Sequence, residues 1–452
     1  MNINIEILES INYGKIQNLP ESFDTASVID SRKLENGMIF FALNGENTDG
    51  HNYVISSFEK QPAFCVVEKK WYETNKSKVE DKPLWIVESS EKALQLLATK
   101  VREITDIPLL ALTGTNGKTS TRSMIVSVLK KRYNVLSTIG NLNNHLGLPL
   151  SILQLNEDHD FTVLEMGTNH FGEIKLLCKI AKPDFGLITN IGRGHTEFLG
   201  NPEGVARAKE ELFQAIPRTG TIFMNADDNY IPNMEFKVRN VLRYGMNSDN
   251  VAYHGEITSV DSFGRAKINI NNQIEIAVTV PGIYQAFNAL AAVAVGHRFG
   301  VSLENIKDAL ENHQGVSNRL GIKDSKCKII DDTYNANPES TLAAIKTLTE
   351  IKTSGKKYFI LGDMLELGDM KEVYHAEMGK AIAETDIDFF FSQGELTAHA
   401  NKAAKEAGHK NAIHFATKKE IIEYLNNNVS KEDILLLKGS RGSKMEEIIE
   451  GI

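Results

Sequence analysis

The chain has 452 residues, of which 42% are hydrophobic and 24% are charged, and its formal net charge is −9. This length exceeds one ordinary hydrophobic core, so we expect two to four domains. The acidic balance argues against a nucleic acid as the main partner, because binding a phosphate backbone usually needs a basic face. Small anionic substrates are compatible with it, since a few lysines can reverse the field within a cleft.

The cysteines and the N-terminus bear on location. Cys65, Cys178 and Cys327 are far apart and lack metal-ligand spacing, which favours a reducing compartment and buried structural roles. The first residues carry no basic region before an apolar stretch, so we predict no secretion signal. No apolar run approaches the ~20 residues that a membrane helix requires. We expect a cytoplasmic, monomeric enzyme without membrane insertion.

In chain order, the hydrophobic pattern predicts three α/β units. Residues 1–88 form a small mixed unit, with β-like runs at 38–43, 63–67 and 84–87 between Gly, Asn and Asp turns. Residues 89–312 alternate buried strands and helices, which favours a parallel sheet covered on both faces. The predicted elements there are strands 109–113, 134–137, 161–166, 185–190 and 221–225, helices 119–133 and 203–215, antiparallel strands within 251–280 at the edge, and an Ala-rich helix 283–299.

The third unit, residues 313–452, begins near His313 and also alternates strands with helices. Its pattern is comparable with a Rossmann-like sheet. The predicted strands are 327–331, 358–361, 389–392 and 434–437.

The segment 107–123, IPLLALTGTNGKTSTRS, predicts a phosphate-binding loop between a strand and a helix. Such a loop offers backbone N–H groups, a helix N-terminus and one lysine to a phosphate chain, and the hydroxyl after the lysine suits Mg²⁺. Leu112 stands where the usual spacing has a glycine, so the loop is a variant that predicts a nucleotide but no particular reaction. The nucleotide-binding candidates are Gly114, Thr115, Asn116, Gly117, Lys118, Thr119 and Ser120.

Further polar residues follow the predicted strands, where ligands bind in open α/β sheets. Glu165 and Asn190 end two of these strands, and His195 lies just beyond the second. A carboxylate near Thr119 is a candidate Mg²⁺ ligand, and a histidine can hold a second divalent ion or orient a substrate. The competing interpretations are a solvated strand-end glutamate and an ordinary loop histidine.

Four other positions remain ambiguous from the residues alone. Lys209 lies in EGVARAKEELF, where Glu–Lys pairs at helical spacing are typical of a surface. Asn288 lies in an Ala-rich packing helix, and its amide could face a nucleotide instead. Asp332 ends a strand and could accept a ribose hydroxyl or form an Asx turn. The segment 435–447, LLLKGSRGSKMEE, could bind an anion or be a capped turn.

Taken together, seven strings occur in the order found in the Mur ligase family: TGTNGKT, EMGTNH, NIGRGHTEFLG, ARAKEELF, QAFNALAA, SNRL and DDTYNANPES. The chain resembles this family over nearly its whole length, and DSRKLENGMIFFALNGENTDGHNYV in the N-terminal unit resembles the family's uridine-binding region. Each string alone is weak, but the set is specific. The main departures from the family's pattern are Ser120 and Arg193.

The resemblance implies a UDP-binding domain, a central ATPase domain and a C-terminal Rossmann-like domain that binds the incoming amine. It also implies an ATP- and Mg²⁺-dependent amide ligation through an acyl phosphate. YNANPES resembles the member that adds D-alanyl-D-alanine to UDP-N-acetylmuramoyl-tripeptide. The alternatives are the member that adds the third residue, whose Asp-Asn-Pro-Arg string is missing here, folylpolyglutamate synthase, and a non-catalytic nucleotide-binding regulator.

The resemblance also implies roles for single residues. Lys118 would contact the β- and γ-phosphates, and Thr119 with Glu165 would hold one Mg²⁺. Lys209 matches a lysine that is carbamylated in related ligases, where it helps to hold a second Mg²⁺ with the position of His195. The remaining implied contacts are Asn288 for adenine, Arg319 for phosphate, Asp332 for ribose, and Ser31, Arg32, Asn143, Asn144 and Thr168 for the substrate. Retention of Lys118, Glu165, His195 and Lys209 together favours an enzyme over a regulator.

Overall fold

The structure is a computed structural model that describes residues 1–45 and 48–452. Glu46 and Asn47, which belong to the string that resembles a uridine-binding region, lie outside the described residues. Three main sheets of five, nine and six strands follow one another along the chain. The predicted α/β class with three units is confirmed. Over the described ranges, no helix is both long and apolar enough to cross a membrane.

The first unit is built on a five-stranded sheet. Its elements are β1 (Asn2–Asn4), α1 (Ile5–Glu9), β2 (Lys15–Gln17), β3 (Ser22–Asp24), β4 (Ser27–Val28), β5 (Ile39–Phe41), α2 (Val54–Ser57), β6 (Phe64–Glu68), α3 (Lys69–Asn75), β7 (Leu84–Val87) and α4 (Ser90–Ile104). The strand order is β2-β7-β6-β5-β4, parallel except at β2, while β1 pairs separately with β3. The central runs are apolar because both of their faces are buried.

The second unit carries the phosphate-binding loop at the centre of its sheet. Its elements are β8 (Leu109–Thr113), α5 (Lys118–Leu129), β9 (Val135–Ser137), α6 (Gly147–Ile152), β10 (Phe161–Glu165), α7 (Glu173–Ala181), β11 (Phe185–Ile188), α8 (Thr196–Leu199), α9 (Pro202–Ala215), β12 (Thr221–Asn225), β13 (Asn240–Gly245), β14 (Tyr253–Val260), β15 (Ala266–Ile270), β16 (Ile274–Ala277), α10 (Tyr284–Arg298) and α11 (Leu303–Glu311). The order is β16-β15-β14-β13-β12-β11-β8-β10-β9, and only β14 to β16 pair antiparallel, as predicted for the edge.

The third unit is a six-stranded sheet with the order β17-β18-β22-β19-β20-β21, parallel except at β17. Its elements are β17 (Gly321–Asp324), β18 (Lys328–Asp332), α12 (Pro338–Glu350), β19 (Lys357–Gly362), α13 (Lys371–Ala383), β20 (Phe389–Gln393), α14 (Thr397–Glu406), β21 (Ala412–Phe415), α15 (Lys418–Asn428), β22 (Ile434–Lys438) and α16 (Glu446–Glu450). Helix α12 starts at a capping box in which Asn337 and Ser340 bond each other's backbone.

Several predicted elements extend past the observed ones, and two of these lie beside the phosphate-binding loop. The strand predicted at 185–190 ends at Ile188. Thr189 and Asn190 turn aside to bond the phosphate-binding loop, where the Thr189 hydroxyl and the Asn190 amide both donate to the Asn116 carbonyl. The helix predicted to reach residue 133 ends at Leu129, after which tightened turns lead into β9.

Helix α10 packs closely on α5, the helix that begins at the phosphate-binding loop. Gly296 makes this approach possible, because a Cβ atom there would lie 2.2 Å from Cγ1 of Val128. In a helix interior, alanine is normally more stabilising than glycine by about 1 kcal/mol, but overpacking a core costs ~1–3 kcal/mol. We therefore expect the steric clash to outweigh the gain in helix propensity, so that an alanine at this position destabilises the protein.

We predict that Gly296→Ala lowers the free energy of unfolding by about 1–2 kcal/mol, measured by denaturant titration. Val128→Ala should relieve the contact, so the double variant should lose less than the sum of the two single losses. Gly321→Ala is the matched control, because a Cβ atom there meets nothing within 4 Å. Equal effects of the two glycine substitutions would contradict the packing argument.

Candidate active site

A cavity of about 760 Å³ lies at the carboxyl ends of the second unit's strands and is also lined by residues of the third unit. This position follows the rule for open α/β sheets. It brings together side chains that are far apart in the chain, among them Lys118, Glu165, His195, Asn288, Arg319 and Asp332. The predicted crevice is therefore present, and its lining extends across two units.

The phosphate-binding loop needs glycine at two positions for steric reasons. Gly114 has φ +153°, and a Cβ atom there would lie 1.8 Å from the Thr189 hydroxyl. Gly117 has φ +77°, and a Cβ atom there would lie 2.7 Å from Oδ1 of Asn288. The loop can thus pack against its neighbours only without side chains at these positions.

Lys118 lies directly over the loop that it follows. Its ammonium group donates to the carbonyl of Gly114 at 2.8 Å and to that of Thr115 at 3.1 Å. Burial lowers the pKa of Lys118, the Glu165 carboxylate opposes this, and Arg319 adds to the lowering. The ammonium group is already positioned where the loop would receive a phosphate chain.

Glu165 is a buried charge with several partners. Its Oε2 accepts from the Thr119 hydroxyl at 3.0 Å and lies 3.2 Å from an Arg122 nitrogen. Its Oε1 accepts from the Asn143 amide at 2.9 Å. The side chain is only 3% exposed, so the alternative of a solvated strand-end glutamate is wrong. A buried carboxylate of this kind is stable only because it is paired and hydrogen-bonded.

Arg122 is a residue that sequence reasoning missed. It lies one turn after Thr119 on α5, so helical spacing from the predicted ligand was the available signal. Besides contacting Glu165, its guanidinium donates twice to the carbonyl of Gly140 at 3.2 Å. It thereby links the phosphate-binding helix to the loop before α6.

The oxygen atoms around Glu165 fit the Mg²⁺ that the resemblance implies. Among the residues that the structure describes, no three His, Cys, Asp or Glu side chains are arranged so that they could hold a metal. Mg²⁺ does not require such a cage, because it keeps several waters and binds through one or two carboxylates plus substrate phosphates. The Thr119 hydroxyl and the Glu165 carboxylate, 3.0 Å apart, suit this mode.

His195 faces the third unit as well as the cavity. Its backbone is left-handed, with φ +59°, and its Nδ1 lies 2.7 Å from Oε2 of Glu366. This contact outweighs burial and lowers the pKa of Glu366. His195 does lie in a loop, as the alternative interpretation has it, but its ring is paired with a carboxylate from another unit.

Lys209 lies in α9 and is 1% exposed, so its interpretation as surface decoration is wrong. Burial, reinforced by the charge of Lys118, lowers its pKa well below the ordinary value. Lys209 is not part of the cavity lining, although it lies near enough to Lys118 to feel its charge. Arg207, two residues earlier, is exposed and lies 5.4 Å from the Phe171 ring.

The two aspartates at the end of β18 have different partners. Asp331 forms the Asx turn, accepting from the backbone and the hydroxyl of Thr333. Asp332 lines the cavity and accepts from the Lys438 ammonium at 2.6 Å. Burial raises the pKa of Asp332, and the Lys438 charge opposes this. Lys438 is thus engaged within the site, while Arg441 pairs with Glu446 near the surface.

Asn288 and Arg319 both line the cavity. The Asn288 amide accepts from the Thr121 hydroxyl at 3.0 Å and donates to Gln285 at 2.8 Å. The Arg319 guanidinium lies 4.0 Å from the centre of the Tyr334 ring. Both side chains are therefore held in place by the protein itself.

The predicted substrate residues fall into two groups. Asn143, Asn144 and Thr168 line the cavity, and Asn144 also accepts from two backbone amides just before and at the start of α6. Ser31 and Arg32 do not line it. They lie in the first unit, where their carbonyls accept from the Lys60 ammonium, and the Arg32 side chain is 88% exposed beside Asp30.

The segment between α11 and β17 connects the second and third units and is bent. Three residues in it, Gly315, Asn318 and Leu320, have φ of +73°, +60° and +55°. A left-handed leucine costs roughly 1–2 kcal/mol, which the surrounding packing must offset. Arg319 lies between the last two of these residues, so its direction depends on this bend.

Two family models match the chain: the Mur ligase middle domain over residues 112–296, and the Mur ligase, glutamate ligase domain, over 318–441. A UDP-N-acetylmuramoyl-tripeptide–D-alanyl-D-alanine ligase of Bacillus subtilis strain 168 is 35% identical over 94% of this chain and 92% of its own length. The enzyme of that name from Escherichia coli K12 is 32% identical over 100% and 98%.

Solved structures are similar to this protein over nearly the whole chain. The crystal structure of MurF from Acinetobacter baumannii has a TM-score of 0.88 and 28% identity, covering 100% of this chain and 98% of that one. The MurF ligase from Thermotoga maritima in complex with ADP has a TM-score of 0.79 and 25% identity, covering 94% and 96%.

His313, in the connecting segment, supplies a test of pH dependence. It is buried, its Nδ1 accepts from the Gly315 amide, and its Nε2 lies 2.9 Å from the Ser123 hydroxyl of α5. Burial lowers its pKa below the usual 6.5. As the pH falls below 6.5, this histidine binds a proton in the unfolded chain but not yet in the folded chain, so the folded state loses stability.

We predict that between about pH 7.5 and about pH 5 the wild type loses more unfolding free energy than His313→Gln. Denaturant titrations at each pH measure the difference, in which other titrating groups cancel. The same substitution at the half-buried His254 is the control. Parallel pH curves for the wild type and His313→Gln would contradict the prediction.

Proposed function

The chain belongs to the Mur ligase family, and we propose that its reaction is that of the member adding D-alanyl-D-alanine to UDP-N-acetylmuramoyl-tripeptide. This is an ATP-dependent amide ligation of peptidoglycan synthesis. Relatives bearing that activity in their names are 35% and 32% identical over nearly the whole chain. The observation that carries the proposal is one cavity lined by the phosphate-binding loop, Glu165 and Asp332.

We place ATP with its phosphates on the loop 114–120. Lys118 would contact the β- and γ-phosphates, and Arg319, from the third unit, would contact the phosphate chain as well. Asn288 and Asp332 would contact adenine and ribose. The support is geometric, because all four side chains line the cavity. The Thermotoga maritima relative is described in complex with ADP, and it covers 94% of this chain.

Mg²⁺ would be held by Thr119 and Glu165, where it would neutralise charge on the phosphates. For a second ion we propose His195 and the carbamate of Lys209. A carbamate forms only from a neutral amine and CO₂, and burial together with the Lys118 charge favours the neutral amine of Lys209. Thr119, Glu165 and His195 already have partners in the protein, and Lys209 is buried.

The chemistry follows from placing opposite charges together. A tripeptide carboxylate oxygen bonds to the γ-phosphorus of ATP while the bond from that phosphorus to the β-phosphate oxygen breaks, which gives an acyl phosphate and ADP. The dipeptide amine then attacks the acyl carbon, and inorganic phosphate and a proton leave. Negative charge spreads over the transferring group, so the buried ammonium of Lys118 stabilises the transition state and Arg319 adds a second positive charge.

We assign the three units to the three reactants. Residues 1–88, with Ser31 and Arg32, would bind the UDP end of the substrate, and residues 89–312 would bind ATP. Residues 313–452 would bind D-alanyl-D-alanine. Asn143, Asn144 and Thr168, on the cavity wall of the second unit, would contact the tripeptide portion. We further propose a monomeric protein in the cytoplasm, a reducing compartment that suits its three buried free cysteines.

We predict phosphate release from ATP that requires UDP-N-acetylmuramoyl-tripeptide, D-alanyl-D-alanine and Mg²⁺ together, measured with a phosphate assay. Lysine- and diaminopimelate-containing tripeptides assayed side by side identify the third residue. Turnover with free D-alanine or a diamino acid as the amine would contradict the assignment. Lys118→Ala should abolish this release. If the wild-type protein only bound nucleotide, it would show no amine-dependent release.

We predict that Lys209→Ala loses most of its activity and that short carboxylates such as acetate restore part of it. The reason is that an added carboxylate can replace the carbamate oxygens. Arg207→Ala, in the same helix but exposed, is the matched control and should keep its activity without added carboxylate. An unaltered rate in Lys209→Ala would contradict the carbamate role.

A further inference from the structure

Arg193 lies in the loop between β11 and α8 and contacts the third unit with most of its polar atoms. Its Nε donates to Oε1 of Glu339 at 2.6 Å, and its backbone amide donates to Oε2 of the same residue at 2.9 Å. A terminal guanidinium nitrogen donates to Glu377 at 2.8 Å. The guanidinium also lies 4.8 Å from the centre of the Tyr374 ring.

These contacts join two units, because Glu339 lies in α12 and Glu377 and Tyr374 lie in α13. An isolated exposed ion pair contributes little to stability. Here one guanidinium, 24% exposed, binds two carboxylates and lies over an aromatic ring, which is the kind of network that does contribute. Gly192 permits the approach, since a Cβ atom there would lie 3.1 Å from the Glu339 carboxyl carbon.

The same end of α12 touches the phosphate-binding loop. Asn337, which caps this helix, donates from its amide nitrogen to Oδ1 of Asn116 at 2.8 Å. Asn116 in turn is fixed by Asn190, whose Oδ1 accepts from the Asn116 backbone amide at 2.9 Å. The first turn of α12 therefore rests on two loops of the second unit, one holding the nucleotide phosphates and one carrying His195.

We propose that Arg193 is a positioning residue that clasps the third unit onto the phosphate-binding loop and so completes the nucleotide site. Arg319 and Asp332 reach the cavity only from the third unit, so their contacts with nucleotide require the two units to be held together. The clasp acts through Glu339 and Glu377 and touches no reacting atom. The proposal rests on nucleotide binding at this cavity and is independent of which amine is ligated.

The substitution Arg193→Ala tests the proposal in the full-length protein. We expect a larger radius of gyration by small-angle X-ray scattering and an ADP dissociation constant raised about tenfold by calorimetry, since only a fraction of molecules would be closed. KM for ATP should rise by a similar factor, while kcat at saturating ATP should stay within about twofold. The split between KM and kcat separates positioning from general loss of structure.

Arg193→Lys should give an intermediate ADP affinity, because lysine keeps the charge but cannot bind two carboxylates at once. In a double-mutant cycle, Arg193→Ala combined with Glu377→Ala should lose no more affinity than Arg193→Ala alone. Arg132→Ala is the matched control, since Arg132 is exposed and lies 5.7 Å from a tyrosine ring within the second unit. It should leave scattering and affinity unchanged.

Unchanged ADP affinity and scattering in Arg193→Ala would overturn the proposal, as would an equal loss in Arg132→Ala. These readouts use ADP alone and need neither the tripeptide nor the amine. Failure of the clasp would therefore leave amine-dependent phosphate release intact. Failure of the ligase assignment would leave the changes in scattering and ADP affinity intact.

Discussion

The buried carboxylate of Glu165 is the constraint on which the candidate site depends. At 3% exposure it has lost nearly all its water, so the protein must supply its partners. Thr119 and Arg122 do so from α5, and Asn143 does so from the loop before α6. Satisfying this one charge thus fixes the phosphate-binding helix, strand β10 and the loop before α6 relative to one another.

The chain is acidic overall, and so is the lining of its central cavity, but positive side chains gather beside the phosphate-binding loop. Burial lowers the pKa of Lys118, and the charge of Arg319 lowers it further. The pKa of Arg122 is lowered by burial and, to a smaller extent, by the charge of Arg319. Such a local field suits a polyanionic ligand and costs stability without one. Lys209 differs from its neighbours because burial and the charge of Lys118 both favour its neutral form.

Neither of the two units that line the cavity supplies the whole lining by itself. The second unit supplies the phosphate-binding loop, and the third supplies Asp332 and Lys438, which bond each other at 2.6 Å. The left-handed residues around Arg319 and the contacts of Arg193 lie at different places along the same junction. Both features affect how closely the second and third units approach each other, and the completeness of the site depends on this distance.

Much of the fold was predictable because its determinants are local. Strands 109–113, 84–87 and 221–225 were predicted with their observed bounds, since buried parallel strands are short apolar runs limited by turn residues. The phosphate-binding loop was equally predictable, because Gly114 and Gly117 have positive φ angles that glycine adopts without strain. The edge strands within 251–280 were indicated by their alternating pattern.

What only the tertiary structure decided is which distant residues meet. Arg193 and Glu339 are 146 positions apart, and Asp332 and Lys438 are 106 apart, so no local pattern relates them. Lys209 has the sequence context of a surface lysine, and only the packing of α9 buries it. The sequence by itself determined the strands, the loop and the family, because these depend on neighbours along the chain. The partners and burial of each site residue depend on strand order and domain contact, and these arise only when the whole chain is folded.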